Sequence, residues 1–159
     1  MSFDNAVNAT LQYEGGYVND PNDPGGETNF GISKKAYPNV DIKNLTVDDA
    51  KAIYKRDYWD KLNLDALPDG ISSCVFDSAV NQGPKEAIIL LQRAAGVNAD
   101  GILGPMSLAA VKAKDPIHLI RDFTVQRILM YSSLSIWNNY SKNWTQRSID
   151  VALSARSFL

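Results

Sequence analysis

One cysteine, Cys74, and one histidine, His118, are the only thiol and the only imidazole in a chain of 159 residues. An internal disulfide is therefore excluded, and a zinc hydrolase centre, which draws on several His or Cys ligands, has too little to be built from. This usage fits synthesis in a reducing place such as a cytoplasm. Long apolar runs are missing as well. No stretch approaches the ~20 residues that span a bilayer, and the opening MSFDNAVNATLQYEGG has neither the basic start nor the unbroken apolar core of a secretory signal. No transmembrane segment and no leader are expected. Charge of one sign is also scarce: with a net charge of −2 there is no global field to hold a polyanion, so a nucleic-acid partner is not expected. No GxSxG elbow, Walker loop or GxGxxG after a strand is present, which leaves serine acyl transfer, NTP use and dinucleotide binding without support. Carboxylate chemistry, with no metal and no cofactor, remains.

The residues present are arranged mostly at helical spacing. Phe3, Ala6, Val7, Thr10 and Leu11 share one face and predict a first helix, stopped by Gly15-Gly16. The stretch VNDPNDPGGETNFGIS, residues 18–33, is too rich in Gly, Pro, Asn and Asp for more than a loop or small hairpin lobe. Thr46 and Asp49 predict a capping box opening a second helix through Ala50, Ile53, Tyr54 and Asp57 to near Trp59. Ile71, Cys74, Val75, Ser78, Ala79 and Gln82 form a third stripe closed by Gly83-Pro84. Ala87, Leu90, Leu91 and Ala94 form a fourth closed by Gly96. Pro105 opens a short fifth helix, Asp115-Pro116 a long sixth one past Tyr131, and a last helix is expected over 143–156. Strand alternation is almost absent and no linker interrupts the chain. The fold class is mainly α, a single domain with a small irregular or β lobe after the first helix.

Glu14 follows Leu11 by three residues and Val7 by seven, so it is expected in the last turn of the first helix, continuing the buried stripe. Burial there disfavours the ionised form, which suits a general acid working near neutral pH. Read alone, a Glu before Gly-Gly also has a plainer use, bonding the turn or reaching solvent. Cys74 lies on an apolar stripe and is expected to be an inert core thiol, although a Cys74/His118 dyad is formally open.

Four ordered blocks carry a family resemblance. Glu14-Gly15-Gly16-Tyr17-Val18-Asn19-Asp20-Pro21, continuing through Asp23-Pro24-Gly25-Gly26-Glu27-Thr28-Asn29-Phe30-Gly31-Ile32-Ser33, is similar to the N-terminal signature of glycoside hydrolase family 108, the phage and bacterial N-acetylmuramidases. The likeness continues in AKAIYKRDYW (50–59), in FDSAVNQG (76–83), and in LQRAAGV (91–97) with DGILGPMS (100–107). The last block also resembles a peptidoglycan-binding signature, LQ…GV..DG..GP.T, with Ser107 in the usual Thr place. The resemblance implies a lysozyme-like fold with a catalytic part over 1–83 and a peptidoglycan-binding-like helical part over 84–159, integrated in the same fold. It implies hydrolysis of the β-1,4 bond between N-acetylmuramic acid and N-acetylglucosamine, with Glu14 as the catalytic acid and no cofactor. The expected partner is the peptidoglycan glycan strand, and the protein is expected to be a monomer. As an endolysin it would be made in the bacterial cytoplasm and reach the periplasmic wall through a holin-type or dedicated pore. A lytic transglycosylase and a non-catalytic peptidoglycan-binding protein remain as alternatives.

Hydrolysis needs a second group to handle water or the oxocarbenium-like charge. Asp20, Asp23, Glu27 and Thr28 are the candidates in the loop facing Glu14. Thr28 is favoured by the resemblance of Thr-Asn-Phe-Gly-Ile to a phage-lysozyme segment in which a threonine positions water. Asp20 and Asp23 also suit turn formation, and Glu27, with no apolar neighbour, is expected in solvent. Tyr17 and Phe30 gain from proximity to Glu14 as sugar-stacking groups, whereas Tyr54, Tyr58 and Trp59 read as core aromatics. Asp77 and Asn81, one turn apart on the third helix, either line the sugar cleft or brace the lobe. Asp100-Gly101 is read as turn geometry. Residues 112–159 carry a balance of +4, leaving −6 for 1–111. The last helix, with Arg147 and Arg156, therefore either packs on the catalytic body or makes weak contact with an anionic envelope.

Overall fold

The computed structural model describes residues 2–20 and 25–159. Among them the chain forms α1 (Ser2–Leu11), a hairpin of β1 (Thr28–Asn29) and β2 (Ile32–Ser33), α2 (Val47–Tyr54), α3 (Asp69–Gln82), α4 (Pro84–Ala95), α5 (Pro105–Ala113), α6 (Pro116–Ser132) and α7 (Trp137–Arg156). This is the mainly α arrangement with a small β lobe that the sequence predicts.

α1 buries Ala6, Val7 and Thr10, but it ends at Leu11. Glu14 therefore lies in a bend beyond the helix and not in its last turn, a correction with a simple cause. Gly15 and Gly16 contribute neither helix propensity nor side-chain packing, so the final turn is not worth forming. α2 carries the predicted capping box, in which Thr46 Oγ1 accepts from the Asp49 N–H at 3.2 Å while Asp49 accepts from the Thr46 N–H at 3.1 Å. It continues into a π-helical turn, Lys55–Asp60, and Tyr54 and Trp59, five residues apart across it, are both buried. The Trp59 indole N–H finds Asp65 at 2.9 Å. Tyr54 and Trp59 are thus core residues.

α3 is the axis of the molecule. Gly70 through Ala79 are all buried, with α1, α4, α6 and α7 packed around them. Its start lies so close to α7 that a Cβ at Gly70 would stand 2.6 Å from the Ala155 carbonyl oxygen. A helix covered on every side must satisfy its polar side chains internally. Ser72 donates to the Asp69 carbonyl and Ser78 to Gln82 Oε1, both at 2.6 Å, and Asp77 takes the ion pairs described below. One continuous core runs from Ala6 to Ala155, drawing on residues before and after Gly83 alike. α6 starts at the Asp115 cap, whose carboxylate accepts from the His118 N–H at 2.9 Å. α7 starts at Trp137, ahead of the expected 143. The added turns carry Trp137 and Tyr140, which lead into Trp144 at spacings of three and four residues, and Tyr131, Trp144 and Tyr140 stack at 4.7 and 5.2 Å.

Candidate active site

The hairpin joining β1 to β2 has two residues at its tip, Phe30 (φ 51°) and Gly31 (φ 76°), with Asn29 paired to Ile32. Two successive positive φ values match a type I′ turn, the form whose twist suits a two-residue hairpin. Gly31 takes this backbone freely, whereas Phe30 is strained in it. Three hydrogen bonds hold the tip. The Phe30 N–H donates to the Gly15 carbonyl at 3.0 Å, the Phe30 carbonyl accepts from the buried Tyr54 hydroxyl at 2.7 Å, and the Asn29 carboxamide donates to the Ile42 carbonyl at 3.1 Å.

The tip thereby presses on Glu14. A Cβ on Gly31 would lie 2.5 Å from Glu14 Oε2 and 2.7 Å from the Tyr54 hydroxyl, so only glycine leaves room for the carboxylate. Burial, followed by the negative charge of Glu14, pushes the Tyr54 hydroxyl well above its ordinary pKa and keeps it a neutral donor. The other Glu14 oxygen, Oε1, accepts from Arg147 Nη2 at 3.0 Å, and the carboxylate side chain is 18% exposed. Glu14 thus meets a guanidinium and a backbone turn, in place of the apolar surroundings that its position after Leu11 suggested.

Arg147 is itself fixed from behind. Its Nη2 and Nε donate to Asp77 at 2.8 and 3.2 Å, and Asp77 also pairs with Arg127 at 2.7 Å. Burial alone would raise the Asp77 carboxyl, but the two guanidiniums outweigh it and hold the group below the usual carboxylate range. Burial likewise opposes the charge on Arg147, and Asp77 and then Glu14 overcome it, raising its pKa. Two carboxyl groups thus face two guanidiniums, and Tyr13 covers the cluster, with the Arg147 guanidinium 5.0 Å from its ring. Asp77 is 1% exposed, so of its two expected uses, lining the cleft or bracing, this is bracing. Arg147 is 9% exposed and committed to these partners, so it is not an envelope contact. Arg156 remains exposed on α7.

The other expected site residues are placed less tightly. Thr28 is half-buried in β1 and its hydroxyl donates to the Gly26 carbonyl at 3.5 Å, with no hydrogen bond to Glu14. Phe30 is half-buried at the tip and packs against the core. Tyr17 is exposed, and its hydroxyl donates to Glu27 Oε1 at 2.9 Å, so Glu27 is partnered and half-buried where free solvation was expected. Asp20 is exposed, two residues past the bridge between Val18 and Thr28, and Asp23 lies outside the described residues. Asn81 is exposed at the end of α3 and accepts from the Tyr131 hydroxyl. Cys74 is buried in the core with its thiol pushed up to about 12, while His118 is exposed at the start of α6, so the two form no dyad. Among the described residues no group of three His, Cys, Asp or Glu stands together to hold a metal ion.

Arg127 and Arg147 as site residues escape sequence reasoning. Their signal was faint: two arginines on helices that otherwise bury apolar residues, with Asp77 on the most buried helix of the chain. The Asp100-Gly101 turn resolves clearly. The buried Gln92 carboxamide donates to Asp100 at 2.7 Å and to Ser107 Oγ at 3.0 Å, and accepts from the Gly101 N–H at 2.8 Å. The signature there is a structural clamp.

Comparison with known proteins agrees with this geometry. The model of the family described as glycosyl hydrolase 108 matches residues 7–83. That of a family described as a predicted peptidoglycan domain matches residues 86–148. Among solved structures, the chain is similar to SagA of Brucella abortus, with a TM-score of 0.86 and 34% identity over 98% of this chain and 94% of that one. Among curated proteins, none matches.

Proposed function

Since this chain belongs to the glycosyl hydrolase 108 family, carries a peptidoglycan-binding segment and is a glycoside hydrolase acting on peptidoglycan, we propose that it is a muramidase cutting the β-1,4 bond between N-acetylmuramic acid and N-acetylglucosamine, with Glu14 as general acid. The observation that carries the reading is the division of labour between the two Glu14 oxygens. Arg147 has donors only, so Oε1 is an acceptor as long as it faces the guanidinium, and the acidic proton belongs on Oε2. Oε2 lies at the edge of the hairpin tip, in the room that the missing Cβ of Gly31 provides for it. A glycosidic oxygen reaching that edge receives the proton as its bond to the anomeric carbon breaks. The carboxylate left behind is then stabilised by the guanidinium.

On the other face of the sugar, water adds to the anomeric carbon. Asp20 is the proposed partner for that water or for the oxocarbenium-like charge, because it is exposed on the loop tied to β1 and the Thr28 hydroxyl is already directed to a carbonyl. The endolysin role follows the family reading, with synthesis in a bacterial cytoplasm and passage through a holin-type pore to the wall. Among the described residues no helix is long and apolar enough to cross a membrane.

Glu14→Gln tests the proposal, because it is nearly isosteric and removes the titratable proton. Wall lysis should fall by about 10²-fold or more with the melting temperature little changed. Lysis within tenfold of the parent overturns the assignment. Products with a free reducing end support hydrolysis, whereas anhydro products, lighter by one water, identify a transglycosylase.

A further inference from the structure

Each of the three helices that build the charged cluster carries a second functional side chain one turn further on. Asn81 follows Asp77 on α3, Tyr131 follows Arg127 on α6, and Trp144 precedes Arg147 on α7, which runs back along α6 after a short connection. Residues one turn apart stand about 5–6 Å apart on a helix, so these three form a second tier beside the charged one. The tiers are joined: Arg127 Nη2 donates to the Tyr131 hydroxyl at 3.3 Å, and that hydroxyl donates to Asn81 Oδ1.

The second tier opens on a cavity of about 540 Å³, whose lining includes Asn81, Gln82, Glu86, Tyr131, Ser133 and Trp144. Trp144 is stacked with Tyr131 and Tyr140, with interplanar angles of 20° and 22°, so its ring is fixed, and Met130, Leu134 and Ile136 supply the apolar wall. The Asn81 carbonyl oxygen is occupied by Tyr131, and the Gln82 oxygen accepts the Ser78 hydroxyl at 2.6 Å. Both carboxamides therefore keep their N–H groups for a ligand, apart from a 4.0 Å approach of Gln82 to the Met130 sulfur. The Glu86 carboxylate, also in the lining, can only accept when ionised. An apolar wall with a few convergent donors and one acceptor suits a flat ligand with apolar faces and a polar rim, which describes a pyranose ring bearing hydroxyl and acetamido groups.

The cavity also lies at the seam of the chain. Asn81 and Gln82 fall in the stretch matched by the glycosyl hydrolase family, and Glu86, Tyr131, Ser133 and Trp144 in the stretch matched by the peptidoglycan domain. We propose that it is a distal subsite for one N-acetylhexosamine of the glycan strand, gripping the polymer one helical turn away from the tier that carries Glu14. This rests on the reading that Glu14 cuts that strand.

The test uses the full chain with peptide-free glycan strands as substrate and two variants at the cavity, Gln82→Ala, which removes a donor, and Ser133→Trp, which fills the space from an exposed position. Each should raise KM about tenfold, the size of effect expected when one good hydrogen bond to the sugar can no longer form, while kcat falls by less than about twofold. In the Glu14→Gln chain, a soluble β-1,4-linked N-acetylglucosamine oligomer should shift the NMR signals of the Gln82 amide and the Trp144 indole, and Ser133→Trp should abolish those shifts. A KM within twofold of the parent in both variants overturns the subsite. So does a shift of the same signals by a sugar-free stem peptide and not by the oligomer. If Glu14→Gln retains lysis, the reading beneath the subsite fails; if Glu14→Gln is inactive and KM does not move, only the subsite fails.

Discussion

The Gln92 clamp joins residues at most 15 apart in the chain, whereas the Asp77 network reaches from Glu14 to Arg147, 133 residues apart. Both centre on a buried polar side chain, Gln92 in one and Asp77 in the other, yet they end differently. In the clamp, Gln92, Asp100, Gly101 and Ser107 bond one another, and the result is a fixed turn between α4 and α5. In the Asp77 network the last member, Glu14, has one oxygen bonded to Arg147 and the other turned to the edge of the hairpin. A network that closes on itself fixes backbone. One with an end left over delivers a charged group to solvent at a defined place.

Asp77→Asn bears hardest on that contrast. It leaves Arg127 and Arg147 buried with too little negative charge, a change worth about 3–5 kcal/mol for a broken buried pair, and it frees Arg147 from its backing. Chemical denaturation should show the loss, and wall lysis should fall with it. The same substitution should alter the acid response. Because the two guanidiniums hold the Asp77 carboxyl below its ordinary value, its stabilising contribution is complete above about pH 4 and disappears as pH drops through the folded pKa. The parent should lose stability on that acid limb, and Asp77→Asn should lose less there. Gly31→Ala comes next. Its methyl would displace Glu14 Oε2, and a shift of about 1 Å in a catalytic group costs roughly 10²-fold in turnover, with stability lowered by only about 1 kcal/mol from the positive φ. Steady-state rates on purified peptidoglycan, beside melting curves, would separate the two effects. Gln92→Leu should do the reverse and least: about 1–3 kcal/mol of stability lost through unpaired buried groups, with kcat on peptidoglycan kept in the folded fraction. A large drop in kcat there would erase the distinction between the two networks.

How far each network could be read from the sequence follows the same division. Short-range features were legible: the Thr46 and Asp49 capping box, the Asp115 cap, the glycine stops and the Asp100-Gly101 turn all rest on residues a few positions apart. Glu14 was singled out as a candidate acid by the family signature, since its Gly-Gly neighbours alone also suit a plain turn. Its guanidinium partner was not, because no local pattern links positions 14, 77, 127 and 147, and an arginine on a helix reads as a solvated charge until packing buries it. The early end of α1 was missed for a related reason, the apolar spacing continuing past the point where two glycines remove the incentive to stay helical. The aromatic turns that extend α7 to Trp137 carry no apolar stripe of the usual kind and stack chiefly on one another.

The pairing of Arg147 with Glu14 also sets a clock on the protein. A ribosome adding ~5–20 residues per second makes Glu14 well before Arg147, and the 133 residues between them correspond to roughly 7 to 27 s of synthesis. During that interval the nascent chain holds the acid without the cation that fixes its orientation, and the pair can form only when α7 folds back against α3. Assembly of the Glu14–Arg147 pair therefore waits for α7, and a chain stopped before that helix holds Glu14 without the guanidinium that orients it.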